Sequence, residues 1–177
     1  MNSADKGLIA YFSHSGENYF NGSLQMISIG NTEKAAEIIQ KISGFDLFKI
    51  ESVKQYPVKY SECTRVAKIE LAENARPELA KKISGIGDYP IIVLAFPCWW
   101  GTMPMPVWTF LESFDFSGKL ILPFITHEGS GFGKSLEDLK KECPNSEIGK
   151  GLSIHGSDVD RSRKLIETWV RNSINKK

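Results

Sequence analysis

The sequence predicts an α/β fold, a doubly wound five-stranded parallel sheet in the order 2-1-3-4-5. Three observations carry that prediction. Short apolar runs alternate five times with segments of helical periodicity, and such alternation builds parallel strands joined by crossover helices. The clearest run, residues 91–96, is apolar on both faces, as a strand covered by helices on each side must be. The least ordinary residues follow the first, third and fourth runs, at the carboxyl ends where sheets of this order bind ligands.

The elements follow in order. Residues 8–12 (LIAYF) read as a buried strand, and Ala35, Ile38, Ile39 and Ile42 form the apolar face of a helix that Gly44 closes. Between them lies a long interruption. Its Asn21-Gly22 pair is a two-residue turn signal, and residues 19–20 and 24–29 suit a small surface hairpin. Residues 45–50 form the second strand, and 51–60, broken at Tyr56-Pro57, a loop. Residues 61–74 form a helix burying Cys63, Val66, Ala67 and Leu71. Pro77 opens a short helix ending near Gly85. After the strand at 91–96, Pro104 and Pro106 start a helix with Val107, Phe110, Leu111 and Phe114 inward. Residues 120–126 are the fourth strand, where Pro123 argues against unbroken central pairing. Residues 136–142 form a helix closed by Pro144, and 148–154 a weaker fifth strand. A capping-box-like spacing at 157–160 precedes a last helix with Ile166, Trp169 and Val170 inward.

Bulk properties narrow the function. A chain of 177 residues that is 41% hydrophobic suits one domain, residues 1–177. Every apolar run is strand-length, so no membrane span is expected, and the start MNSADKG lacks the features of a secretory signal. Cys63, Cys98 and Cys143 are odd in number and form no C-x-x-C pair, which points to a reduced, cytoplasmic protein. The net charge is +1 with both signs interspersed, which excludes a dedicated nucleic-acid binder.

Three loops hold the chemistry-bearing residues. The first carries Ser13, Ser15 and Gly16, then Gly30, Asn31 and Thr32 just before a helix. Outward N–H groups, a helix dipole and hydroxyl donors there suit an anion, although the same residues also serve as ordinary caps and turns. Residues 13–33 contain no Lys or Arg, so neutral donors would hold a phosphate. The loop is neither G-x-G-x-x-G nor G-x-x-x-x-G-K-[ST]. In the second, Pro97-Cys98-Trp99-Trp100-Gly101, two adjacent indoles cannot easily face the same way. One goes to the core and the other to solvent or a planar ligand. The third, Thr126-His127-Glu128-Gly129-Ser130-Gly131, suits close backbone contact with a ring's polar edge, or a plain turn.

Competing chemistries find less support. A zinc reading of His14, His127, Cys98 and Glu128 lacks any ligand-pair spacing, so no metal is expected. Ser130 stands in E-G-S-G, which is not the G-x-S-x-G elbow of a serine hydrolase. A phospho-accepting receiver domain needs carboxylates where this chain has Phe12-Ser13 and Phe96-Pro97.

Strand–Ser13-His14-Ser15-Gly16, resumed as Gly30-Asn31-Thr32, resembles the flavodoxin phosphate loop T-x-T-G-N-T split by an insertion at 17–29. The elements QYP-KYSE, ENARPEL and FPCWWGTMP extend the likeness to a flavodoxin-like microbial family over nearly the whole chain. The resemblance implies FMN. Its phosphate would lie at Ser13, Ser15, Asn31 and Thr32, with its ring flanked by Pro97, Trp99, Trp100 and Gly101. Position after the fourth strand adds Thr126, His127, Glu128, Gly129 and Gly131. Electron-carrying flavodoxins are strongly acidic, whereas this chain has 21 acidic and 22 basic residues. The expected function is therefore an oxidoreductase that accepts hydride from NAD(P)H and reduces a quinone or similar small acceptor, as a monomer or homodimer. The alternative is an electron carrier that docks to redox partner proteins.

Overall fold

The computed structural model describes residues 6–174. Strand β1 (Gly7–Tyr11) leads into an antiparallel hairpin, β2 (Gly16–Phe20) and β3 (Ser23–Ile27), and then into helix α1 (Asn31–Ser43). There follow β4 (Asp46–Lys49), α2 (Tyr60–Ala72), β5 (Ile91–Pro97), α3 (Met105–Glu112), β6 (Leu120–His127) and α4 (Ser135–Glu142). The chain closes with β7 (Glu147–Ile148), β8 (Leu152–His155) and α5 (Arg163–Ile174). The sheet runs β4-β1-β5-β6-β7, with β8 also on β6, and its pairings are parallel throughout. Counting β7 and β8 as one interrupted strand, this is the 2-1-3-4-5 order.

Alternating side chains divide the core between the two faces of the sheet. Leu8, Ala10, Ile92, Leu94, Phe96 and Ile121 pack with Val107, Phe110 and Leu111 of α3 and Leu139 of α4. Ile9, Tyr11, Val93, Ala95, Leu122 and Phe124 pack on the other face with Ala35, Ala36 and Ile39 of α1 and Ile166, Trp169 and Val170 of α5. Gly44 ends α1 in the left-handed conformation, φ 71°, where its N–H reaches the Gln40 carbonyl. By contrast α2 buries only Cys63 and Ala67 along its length, and Tyr60, Cys63, Thr64 and Ala67 of its first turns line an open cleft.

Two expectations need correction. Pro77 opens no helix. Residues 75–80 run extended beside 51–53, with Ser52 and Leu79 in an antiparallel bridge and Val53 donating to the Glu78 carbonyl. The segment finds its backbone partners across this bridge instead of within itself. The fifth strand at 148–154 is two strands, because Gly149, Lys150 and Gly151 leave the ladder between β7 and β8. The interruption lies opposite Leu122 and Pro123. The Ile121 carbonyl accepts from Gly149 on that side, so Pro123, two residues on, turns its missing N–H towards the gap.

The hairpin pairs from Gly16↔Ile27 to Phe20↔Ser23, turning at Asn21 and Gly22 with φ of 52° and 78°, the signs a type I′ turn requires. It joins the body through Glu17, whose N–H donates to the Val58 carbonyl and whose Oε2 accepts the Tyr60 N–H at the start of α2. Most of β3 is exposed. Joining Gly16 directly to Asn31 should therefore leave a folded domain, less stable by about 1–2 kcal/mol for the lost helix cap. Urea denaturation measures this, and a chain that fails to fold would show that the hairpin belongs to the core.

Candidate functional site

The loops that follow β1, β5, β6 and β8 meet at one rim of the sheet. They enclose a cleft lined by Ser13, His14, Asn31, Thr32, Pro97, Trp99, Thr126, His127, Glu128 and Gly156, with Asn18, Tyr19, Tyr60 and Cys98.

One end is built around the start of α1. Gly30 caps the helix without a side chain, and the Ser13 hydroxyl supplies the missing acceptor by taking the Glu33 N–H at 3.1 Å. A Cβ on Gly30 would stand 2.2 Å from Ser13 Oγ and 2.5 Å from the His14 carbonyl, so only glycine lets the two segments close. The first intrahelical bond runs from Lys34 to Gly30, which leaves the N–H groups of Asn31 and Thr32 without a helical partner. The Thr32 and Thr126 hydroxyls, both buried, share a 2.7 Å hydrogen bond that ties α1 to the end of β6. Asn31 Oδ1 is buried with no partner, and a Cβ on Gly156 would lie 2.5 Å from Asn31 Nδ2. Among the described residues, no Lys or Arg lines the cleft. Lys34 and Lys49, close by in sequence, pair with Asp160 and Glu33.

The opposite wall is the turn from Trp99 to Thr102, whose N–H groups each bond the other's carbonyl at 3.0 Å. Trp100 and Gly101 sit at its centre with φ of 52° and 81°, an unusual conformation for a bulky residue. The turn sends the indoles apart. Trp99 meets Phe12, His14 and Tyr56 edge-on, with ring centroids 5.0–5.9 Å away. Trp100 is 50% exposed, donates from Nε1 to the Thr64 carbonyl of α2 and lies under Lys68.

Beside the third loop two histidine rings meet edge-on at 5.9 Å, His127 at the end of β6 and His155 at the end of β8. His127 Nδ1 accepts the Gly129 N–H at 2.9 Å, so Nε2 bears the proton in the neutral ring. Burial holds its pKa below the ordinary value and His155 adds to the effect. His155 Nε2 stands 3.4 Å from Glu128 Oε2, and its Nδ1 bonds Ser157 Oγ at 2.8 Å. Burial raises the Glu128 carboxyl while His155 opposes it.

The residues singled out in the sequence divide as follows. Ser13, Asn31, Thr32, Pro97, Trp99, Thr126, His127 and Glu128 line the cleft, and Trp100 lines its neighbour. Ser15 is exposed, and Gly129 and Gly131 have open space where a Cβ would stand. Gly101 serves the loops instead. Its carbonyl accepts from Lys134 at 2.7 Å, and a Cβ on Gly133 would strike it. Sequence reasoning missed Tyr60, which begins α2 far along the chain, and Gly156. The carboxyl-end rule applied to the last strand would have found Gly156. Among the described residues, no group of three or more His, Cys, Asp or Glu is placed to hold a metal ion, and no helix is long and apolar enough to cross a membrane.

Known proteins resemble this chain in sequence and fold. The family model described as Flavodoxin matches residues 6–173. A Bacteroides uniformis protein assigned as a flavoprotein is 26% identical with a TM-score of 0.74, over 94% of this chain and 97% of its own. One from Bacteroides eggerthii is 27% identical with a TM-score of 0.70, over 91% and 97%. A Lactobacillus acidophilus flavoprotein solved in complex with FMN is 22% identical with a TM-score of 0.65, over 88% and 97%, and shares the fold. No curated protein matches. By its sheet order, its loop-built cleft and a family match across nearly all its length, the chain belongs to the flavodoxin family, the FMN-binding family that its phosphate-loop residues resemble.

Proposed function

We propose that the cleft holds FMN and that the protein is a cytoplasmic oxidoreductase taking hydride from NAD(P)H and delivering it to a quinone or similar small acceptor. The donor set fits the cofactor. The free N–H groups of Asn31 and Thr32 and the Ser13 hydroxyl suit a phosphate at a helix start. The buried, unpartnered Asn31 Oδ1 is an acceptor, which suits a hydroxyl of the ribityl chain. Pro97, Trp99, His127 and Glu128 flank the space left for the ring. Bound flavin supplies the hydride and electron chemistry; the chain binds it, orients it and shields it from water. His127 contributes a neutral Nε2–H donor fixed by its bond from Gly129.

One observation carries the enzyme reading over the carrier. A second cleft adjoins the first and shares His14, Asn18, Tyr60, Cys98 and Trp99 with it. None of its lining residues is Asp, Glu, Lys or Arg. A carrier that hands electrons to a docked protein needs no such chamber, whereas a small acceptor does. Anaerobic mixing with NADH or NADPH should bleach the bound flavin, and a quinone should restore its colour. A flavin that neither nucleotide reduces, but that a redox partner protein does, would replace this reading with the carrier.

A further inference from the structure

The second cleft lies between the amino-terminal half of α2, the start of the hairpin and the Trp99–Thr102 turn. Its walls are aromatic and neutral. Trp99 and Trp100 form one side, and Tyr60, Cys63, Thr64 and Ala67 of α2 the other. Burial, with Glu70 nearby, pushes the Cys63 thiol up to about 12, and burial also raises Tyr60, so both stay uncharged at neutral pH. Lys68 lies outside, over the Trp100 ring.

His14 stands where the two clefts join and lines both. Its ring is wedged edge-on between Tyr56 and Trp99, with centroids 6.4 and 5.9 Å away. Nε2 is buried and has no hydrogen-bond partner among the described residues. The Pro57 carbonyl favours an N–H on the ring, and with Nε2 unpartnered we infer that this N–H is on Nδ1. Burial outweighs that bond and lowers the His14 pKa, keeping the imidazole neutral. Nε2 is thus a bare acceptor at the head of an uncharged aromatic chamber. A buried acceptor without a donor is costly, and the ligand that removes the cost must bring a donor of its own.

We propose that this second cleft binds an uncharged phenolic or hydroquinone-type ring, stacked against the tryptophan wall, whose O–H donates to His14 Nε2. A charged ring would lose its hydration against walls that offer no counter-ion. The Tyr60 hydroxyl, at the opposite wall, is free to donate to an oxygen elsewhere on the ring. The assignment rests on the first cleft being the FMN site, and the ring it describes is the reduced product, because a quinone carries no O–H to donate.

The test uses the FMN-loaded protein and a matched pair of redox-inert probes, 4-methylphenol and its methyl ether, 4-methylanisole. They share a shape, but only the phenol can donate. Tryptophan fluorescence follows binding, and the ring ¹⁵N signals of His14 report on Nε2. The phenol should bind about tenfold more tightly than the ether, and it alone should shift the Nε2 signal. His14→Phe should erase the preference while leaving a stacked ether bound, and Trp100→Ala should weaken both probes alike. Equal binding of the two probes by the native protein would overturn the proposal without any variant. So would binding that appears only after FMN is removed, since the chamber would then belong to the flavin. Flavin absorbance in the same samples keeps the two readings apart: retained FMN with no phenol preference defeats this proposal alone, and no FMN at all defeats the reading beneath it.

Discussion

Replacing Gly30 by alanine should abolish tight FMN binding and destabilise the fold by about 1–3 kcal/mol, the usual cost of overpacking. Gly30 has φ −67° and ψ 150°, which any residue adopts, so the backbone itself is not at stake. The obstacle is contact. The new methyl would fall 2.2 Å from Ser13 Oγ and 2.5 Å from the His14 carbonyl, and the latter is backbone that cannot swing aside. The loop after β1 must then part from the start of α1, and the bond from the Glu33 N–H to Ser13 is lost with it. Gly44→Ala is the control. It sits at φ 71° with open space around it, so it should cost about 1 kcal/mol in backbone strain and leave FMN affinity unchanged. Urea denaturation and FMN titration of both variants decide the matter. A Gly30→Ala protein that binds FMN normally would show that the closure of these two segments has no part in the site.

The double variant Ser13→Ala with Thr32→Val should weaken FMN by about 1–3 kcal/mol while changing riboflavin little, because donors to a charged group contribute on that scale. The Ser13 hydroxyl accepts from the Glu33 N–H, which leaves its own O–H to donate. Thr32 shares a buried bond with Thr126, so valine, which keeps the shape, is a better substitution than alanine at that position. Some of the stability loss will come from the Thr126 hydroxyl left alone, and the FMN-to-riboflavin ratio is insensitive to that part. Equal weakening of both flavins would remove the phosphate from this loop. With no Lys or Arg lining the cleft, the two N–H groups at the start of α1 and these hydroxyls are the principal donors that the loop offers.

Much of this was legible in the sequence because it rests on short-range rules. Alternation of apolar runs placed the strands, and the carboxyl-end rule gathered Ser13, Asn31, Thr32, Pro97, Trp99, Thr126, His127 and Glu128 around one cleft. Asn21-Gly22 announced its hairpin through turn chemistry alone. What escaped depends on contacts between distant segments. Pro77 is a good helix start by itself, but residues 75–80 find better partners in 51–53. Gly101, Gly131 and Gly133 read alike in sequence. Only the approach of two loops shows that Gly133 packs on the Gly101 carbonyl while Gly131 faces open space. The sequence also left undecided which indole turns inward. That is settled by a turn that places Trp100 at φ 52° and sends it to α2. Tyr60 and the second cleft belong to α2, whose weak apolar stripe, with only Cys63 and Ala67 buried, does not show in sequence that its first turns line a cleft.

The most direct test of the account is a crystal structure of the FMN-loaded protein, read at a single atom, the phosphorus. It should lie at the start of α1, within hydrogen-bonding reach of the Ser13 hydroxyl and the Asn31 and Thr32 N–H groups, with no lysine or arginine side chain on its oxygens. A phosphate found instead in the second cleft, beside Lys68 over the Trp100 ring, would reverse the cofactor's orientation. The neutral-donor loop and the acceptor chamber would both be wrong.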